Sequence, residues 1–256
     1  MKISFSLVLV FALTTNLLAQ EAIAPSNAIP QVPPTKTSQP LAKVTLEKIA
    51  AMTPLFDGKT LDGWIESPVR RKSEVEENPK ASWIVKDGVM ASTGAGRGVI
   101  YTKDDYTNYR IIFDMRQVSG NHQPCVLIFC TRPAAGEKGL DALGGIQFQV
   151  PNGGHWDYRP GFNKSGSGFT NPIKTKFNNH EWSQVEILVN AKNGTARMAV
   201  AQPIGTKGIE NLAYANTEAG KTGPFALQMH NAGLFDEYKD LRIELDPKED
   251  KLITAE

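Results

Sequence analysis

The sequence predicts an all-β domain in which two antiparallel sheets pack as a sandwich, and three observations support this. Short segments that alternate apolar and polar residues recur over residues 82–245. Gly-rich turns separate these segments, and no long helical period occurs among them. Strands with one apolar face bury it most simply by stacking two sheets. A closed barrel is the alternative, whereas a propeller would need a blade-length repeat that the chain lacks.

The strands are predicted in order along the chain. A hairpin comes first, with residues 82–85 and 89–91 joined by a turn that ends at Gly88. Residues 125–131 are apolar on both faces, which is typical of a central strand covered on both sides. Alternation predicts the other strands, which are residues 98–101, 109–118, 145–150, 182–190, 195–201, 224–230 and 239–245.

The N-terminal region indicates an exported protein. Lys2 precedes an apolar run, and the chain then passes through three polar residues at 14–16 to the small residue Ala19, which is the pattern of a secretory signal peptide over residues 1–19. The run is about half of the roughly 20 residues that a spanning helix needs, so a membrane anchor is the less favoured alternative. We expect a secreted or periplasmic protein with no membrane span after signal removal.

The domain boundaries follow from composition. Residues 20–53 are rich in proline and small polar residues, which is typical of an extended tether. Residues 41–52 could form a short helix, but we interpret them as part of this leader. The folded domain is predicted over residues 54–247, and residues 248–256 are predicted to form a C-terminal tail.

Charge and cysteine content exclude several roles. The chain has 28 basic and 27 acidic residues and a net charge of +1, so it lacks the excess that draws proteins to nucleic acid or anionic lipid. Cys125 and Cys130 lie in one predicted strand at an odd separation, which directs their side chains to opposite faces beyond disulfide reach. We expect two buried free thiols.

Several segments resemble one protein family. Residues 55–64, Leu-Phe-Asp-Gly-Lys-Thr-Leu-Asp-Gly-Trp, are similar to the opening signature of the 3-keto-disaccharide hydrolase family. Further segments agree in the same order, which are residues 83–88, 105–109, 223–230 and 238–243. The resemblance implies a concanavalin A-like jelly roll, exported by bacteria, that acts on or binds sugars across one sheet. Its implied partner is a carbohydrate such as an oxidised disaccharide.

His230 is the leading candidate for chemistry, because alternation places it with Gln228 on the polar face of its strand. A second candidate region is the long connection after residue 150, since thirty residues without a regular pattern are typical of a functional loop. Its Asp157 carboxylate is predicted to act with His230 as acid or base. Aromatic and imidazole rings beside it are predicted to contact the sugar, namely His155, Trp156 and Tyr158.

The remaining predicted substrate contacts come from the strands. Arg132 follows the central strand, as the corresponding arginine does in the family. Gln147 and Gln149 share a polar face. Family members usually carry a glutamate where this chain has Gln147, and an amide cannot serve as a general base. We predict that Arg132, Gln147, Gln149 and Gln228 bind substrate.

Two main functions stay open at this point. Hydrolysis of a glycoside ordinarily needs two carboxyl groups. A ketone at C3 of the sugar acidifies the hydrogen on C2, so one base and one ketone-polarising group suffice for elimination followed by hydration. The first hypothesis is a hydrolase or lyase acting on 3-keto-glucosides; the alternative is a non-catalytic carbohydrate-binding module, with a tethered structural domain as a weaker third. No cofactor and no metal site are predicted, although calcium held by loop carbonyls would leave no linear pattern.

Overall fold

The computed structural model describes residues 35–69, 82–134 and 142–256. The predicted signal peptide and the first part of the predicted tether lie outside the described residues. Within the part that is described, no helix combines the length and hydropathy that crossing a bilayer requires.

The described residues form mainly β-strands, with a single α-helix, α1 (Lys43–Ala51), before them and a short 3-10 helix at Thr217–Ala219. The strands are β1 (Thr53–Pro54), β2 (Trp64–Val69), β3 (Trp83–Lys86), β4 (Val89–Ser92), β5 (Arg97–Thr102), β6 (Asn108–Ser119), β7 (Cys125–Ile128), β8 (Ile146–Gln149), β9 (Gly154–Asp157), β10 (Phe169–Thr170), β11 (Ser183–Asn190), β12 (Thr195–Ala201), β13 (Ile209–Ala215), β14 (Ala226–Met229) and β15 (Phe235–Leu245).

These strands build two antiparallel sheets. The larger sheet has nine strands in the order β10-β13-β12-β11-β6-β15-β4-β3, with β1 paired to β15. The smaller sheet has six strands in the order β2-β5-β14-β7-β8-β9. The predicted two-sheet antiparallel sandwich is therefore confirmed.

The core lies between the sheets because alternation sends one face of each strand inward. In the nine-stranded sheet, Phe113 of β6 pairs with Val185 of β11, and both are fully buried. Phe148 and Leu227 of the six-stranded sheet belong to the same apolar cluster. These buried residues form the inner faces of the two sheets.

The outer face of the nine-stranded sheet is partly covered by the two ends of the described chain. Ile49 at the end of α1 and Met52 pack with Ile112 of β6 and with Ile253. Residues 41–52, interpreted from the sequence as leader, therefore contain a helix that contacts the domain. The predicted tail also packs on this face, since Leu252 and Ile253 are buried.

A buried ion pair fixes the C-terminal segment. Arg110 Nε donates to Glu186 Oε1 at 2.7 Å, and both side chains are almost fully covered. The same carboxylate accepts the backbone N–H groups of Ile253 and Thr254 at 2.9 and 2.7 Å. A buried carboxylate needs such donors to offset its lost hydration. The residues after Pro247 therefore act as part of the folded domain.

Both cysteines are free and buried, as predicted. Burial raises the pKa of the Cys125 and Cys130 thiols well above the usual range. The strand that carries them is shorter than predicted, because β7 ends at Ile128 and Phe129 adopts a left-handed φ of 54°.

Candidate functional site

The outer surface of the six-stranded sheet is the face on which polar side chains gather. Residues paired across antiparallel strands share a face. Gln147 of β8 pairs with Trp156 of β9, and Cys125 of β7 pairs with both Gln149 of β8 and Gln228 of β14. We call this outer surface, carrying Gln147, Gln149, Trp156 and Gln228, the polar face. The three glutamines therefore share one face of the sheet.

Two of these glutamines form a closed pair. Gln147 Nε2 donates to Gln228 Oε1 at 2.6 Å, and the two side chains are 1% and 0% exposed. Gln149, which is half-buried, donates through Nε2 to Gln147 Oε1 at 3.4 Å. Covered side chains cannot touch a sugar without rearrangement, so Gln149 is the amide of this row within reach of a ligand. Gln147 and Gln228 are buried under the surface of the polar face and hydrogen-bond to each other.

His230 follows β14 and joins a second imidazole on the polar face. Its ring stacks on that of His122, with ring centroids 3.9 Å apart and planes 3° from parallel. Strand order explains the meeting, because β7 and β14 are antiparallel neighbours. His122, three residues before β7 begins, therefore lies beside His230, the residue just after β14 ends.

The contacts of the two rings define where their hydrogens lie. His122 Nδ1 lies 2.9 Å from the carbonyl oxygen of Gln123, and His230 Nδ1 lies 3.0 Å from Asn231 Oδ1. The tautomer in which Nδ1 donates to this oxygen leaves Nε2 as the acceptor of each neutral ring. Tyr158 Oη lies 3.4 Å from His230 Nε2 and can donate to it. His230 Nε2 is thus a proton acceptor with a phenol beside it.

Tyr158 and Trp156 reach the polar face from β9 and its end. The Tyr158 ring packs on the apolar cluster of this face, which includes Val99 and Leu127. Trp156 is half-buried and donates through Nε1 to Asn163 Oδ1 at 3.0 Å. Both predicted sugar-contacting rings are therefore partly accessible on the polar face, and Tyr158 also contacts the imidazole pair.

Asp157 does not join His230, which corrects the prediction that the two act together. Asp157 pairs across the strands with Ile146, whose side chain is in the core, so it points to the inner side of β9. There it is 2% exposed and accepts Arg159 Nη2 at 2.8 Å and Arg159 Nε at 3.1 Å. The predicted loop is a strand at this point, and one step along a strand reverses the face.

His155 lies on the same inner side of β9 and is likewise separated from the polar face. Its ring stacks on Phe169 with centroids 4.1 Å apart. Burial lowers the pKa of His155, against the opposing effect of its contact with the Gly153 carbonyl. The ring therefore serves as packing between β9 and β10, and the structure does not place it against a sugar on the polar face.

Arg132 lies at the other end of β5 from the imidazole pair. Its Nε donates to Asp105 Oδ1 at 2.8 Å, and its Nη2 donates to the carbonyl oxygens of Thr102 and Lys103. Its Cζ lies 5.6 Å from the ring centroid of Tyr101. Arg132 thus borders the polar face without contacting the imidazole pair in the structure.

His122 is the functional candidate that sequence reasoning missed. It lies in the turn before β7, where no alternation marks a face. Only the neighbour relation of β7 and β14 brings it to His230. A turn histidine directly before a central strand was the one available signal. Among the residues that the structure describes, no group of three His, Cys, Asp or Glu side chains is arranged to hold a metal ion.

The family model for 3-keto-alpha-glucoside-1,2-lyase-like domains matches residues 51–244. The chain belongs to this family. The family resemblance predicted from the short segments is therefore confirmed. No curated protein is similar enough in sequence to match the chain.

Solved structures share the fold. The exoplasmic/lumenal domain of VIP36 in its Ca2+/Man3GlcNAc-bound form has a TM-score of 0.50 at 8% identity, covering 76% of this chain and 89% of that one. The carbohydrate binding module CBM66 from Bacillus subtilis has a TM-score of 0.49 at 10% identity, with coverages of 76% and 97%. A candidate glycosyl hydrolase from Parabacteroides distasonis has a TM-score of 0.42 at 16% identity, with coverages of 71% and 98%. At 8% identity the likeness to the VIP36 domain concerns the fold alone, which agrees with the predicted jelly roll.

Proposed function

We propose that this family member binds carbohydrate on the polar face and cleaves the glycosidic bond of 3-keto-glucosides by elimination, with His230 as the base. The observation that carries the proposal is the acceptor Nε2 of His230, half-buried between the His122 ring and the Tyr158 hydroxyl. The proposal places the activity outside the cytoplasm, on the strength of the signal-like residues 1–19.

The reaction needs one proton acceptor and one stabiliser of negative charge. His230 Nε2 takes the hydrogen from C2, and the electrons of that C–H bond move into the enolate formed with the C3 ketone. Tyr158 Oη, released from His230 by the substrate, donates to the enolate oxygen. The enolate then expels the aglycone from C1, the departing oxygen takes up the proton held by the imidazolium, and a C1–C2 double bond remains. Water adds to that bond afterwards.

The charges around the site support elimination over two-carboxylate hydrolysis. At the described strand positions on the polar face, no Asp or Glu side chain is present. The predicted carboxylate, Asp157, is held by Arg159 on the inner side. Hydrolysis through two carboxyls would require a pair about 5–9 Å apart across the bond. Elimination requires one base and one donor to the ketone oxygen, and no pair of carboxyl groups, because the ketone already acidifies the hydrogen on C2.

The second candidate function is a carbohydrate-binding module without catalysis. The observation that favours it is the buried amide of Gln147, which is paired with Gln228 and stands where the family usually has a glutamate. Such a module would use Trp156 and Tyr158 as stacking rings and Gln149 as a hydrogen-bonding group. It would bind sugar and release nothing.

The test is aglycone release from nitrophenyl 3-keto-glucosides of both anomeric configurations. We expect release by the full chain, a loss of at least about 100-fold in kcat for His230→Gln, and a smaller loss for Tyr158→Phe. His180→Gln is the matched control, because His180 is an exposed imidazole that contacts the Gln117 carbonyl; it should keep full activity. Release that persists in His230→Gln would contradict the role of His230. Saturable sugar binding by calorimetry without release from either anomer would establish the module instead.

A further inference from the structure

The loop that carries His122 is fastened to the core by one amide group. Gln117 Nε2 donates to the carbonyl oxygen of His122 at 2.6 Å and to Asp236 Oδ1 at 2.9 Å. An amide nitrogen has two hydrogens, and each of these contacts uses one. Gln117 of β6 and Asp236 of β15 are direct cross-strand partners in the nine-stranded sheet. The amide thus links a buried carboxyl to the backbone of the imidazole loop.

Asp236 is an unusual group to find in this position. It is 0% exposed, and among the described residues its Oδ2 has no hydrogen-bond partner. Burial raises the pKa of Asp236 to about 7, against the lowering effect of the hydrogen bond from Gln117. A carboxyl with one unsatisfied oxygen in the core costs stability. Its presence directly beneath the candidate site therefore calls for a role other than packing.

Further contacts hold Asp236 and the start of the His122 loop in place. The backbone N–H of Asp236 donates to Ser92 Oγ at 2.8 Å, and Ser92 Oγ donates to the carbonyl of Leu234 at 2.9 Å. The His122 loop begins at Gly120, whose backbone packs closely against Leu234, because an added Cβ would lie 2.5 Å from a Leu234 side-chain atom. The bond from Gln117 then fixes the carbonyl of His122 itself. A displacement of this carbonyl would move the His122 ring against His230.

We propose that Gln117 and Asp236 are positioning residues that hold His122, and through the ring stack His230, in place. Asp236 orients the Gln117 amide so that its second hydrogen points at the loop. The structural part of this proposal concerns the two rings alone. Its catalytic consequence rests on the function proposed above for His230.

The experiment compares variants that break the link with one that keeps it. Gln117→Met removes both donors at nearly constant length, and Gln117→Asn keeps an amide that is too short to reach both acceptors. Asp236→Asn keeps the acceptor for Gln117. The direct readout is the NMR Cε1–H resonances of His122 and His230, which the parallel stack displaces through ring currents. Asp114→Asn is the matched control, because Asp114 is a buried carboxyl that lies on the outer face of the nine-stranded sheet.

Both Gln117 variants should move the two histidine resonances, while Asp236→Asn and Asp114→Asn leave them near their wild-type positions. On 3-keto-glucosides the Gln117 variants should lose about tenfold or more in kcat with KM little changed, since a misplaced base slows the chemical step. Unchanged resonances in both Gln117 variants overturn the positioning role, whatever the activity. If the resonances move but the wild type releases no aglycone, the positioning role stands and the lyase function fails.

Discussion

Replacing Asp236 by Asn should stabilise the protein at pH 8 and have little effect at pH 4. Burial raises the pKa of this carboxyl from its ordinary value of 3.8 to about 7 in the folded protein. Between these values the folded state holds a proton that the unfolded chain has released, so stability falls as pH rises. The contribution is fully present below about pH 4 and is lost above about pH 7. At ~1.4 kcal/mol per pKa unit the loss is about 4 kcal/mol, and Asn, which does not ionise, avoids it.

The measurement is urea unfolding of the full chain from pH 4 to pH 8, followed by tryptophan fluorescence. Asp114→Asn is the control. Burial, then the nearby Asp240 carboxylate, raises the pKa of Asp114 to about 6, while Lys239 opposes the change. Ionisation of Asp114 should therefore cost about 3 kcal/mol of unfolding free energy, and this loss should be complete about one pH unit below that of Asp236. If Asp236→Asn keeps the wild-type dependence of unfolding free energy on pH, the Asp236 carboxyl does not carry the burial cost inferred here.

Two substitutions and one labelling experiment test other parts of the fold. Glu186→Ala leaves Arg110 without its buried partner, so the free energy of unfolding in urea should fall by about 3–5 kcal/mol; a fall below 1 kcal/mol would contradict the importance of the buried pair. Gly223→Ala places a Cβ 1.9 Å from the Cys130 carbonyl oxygen, and should destabilise the domain by about 1–3 kcal/mol in the same assay. Cys125 and Cys130 should not react with a thiol reagent in the native state, and both should react after denaturation. A thiol that reacts rapidly in the native protein would contradict the burial of that cysteine.

The sequence predicts the sandwich well because apolar and polar residues alternate regularly along the central strands. Residues 109–118 and 182–190 have a clean alternation, and their strands lie side by side in the nine-stranded sheet. Strand β13 was missed because the pattern is broken by a register shift in its pairing with β12, between Met198 and Ala199. Adjacent Asn211 and Leu212 are both buried there, which no period of two would indicate.

The candidate site was predicted only in part, and the reason is topological. Alternation along one strand was enough to place Gln228 and His230 on a common face. Asp157 was predicted to act with His230 because β9 is too short and too polar to be recognised as a strand. Without that strand, nothing in the sequence shows that Asp157 points to the inner side. His122 depends on which strands are neighbours, and a single sequence carries no signal for that relation.

The outer faces of the two sheets differ in a way that bears on the ligand. On the nine-stranded sheet the C-terminal segment covers the charged pair Arg110 and Glu186 and donates hydrogen bonds to Glu186. Arg97 of β5 brings a guanidinium to the polar face, since it lies two residues before Val99, whereas the amides, imidazoles, phenols and indole there donate or accept hydrogen bonds without a fixed charge. Such groups lose little hydration when a neutral, hydroxyl-rich molecule replaces water. A ligand that brings its own activating ketone then needs one proton acceptor and one donor to the ketone oxygen from the protein, and we propose His230 Nε2 and Tyr158 Oη for these two roles.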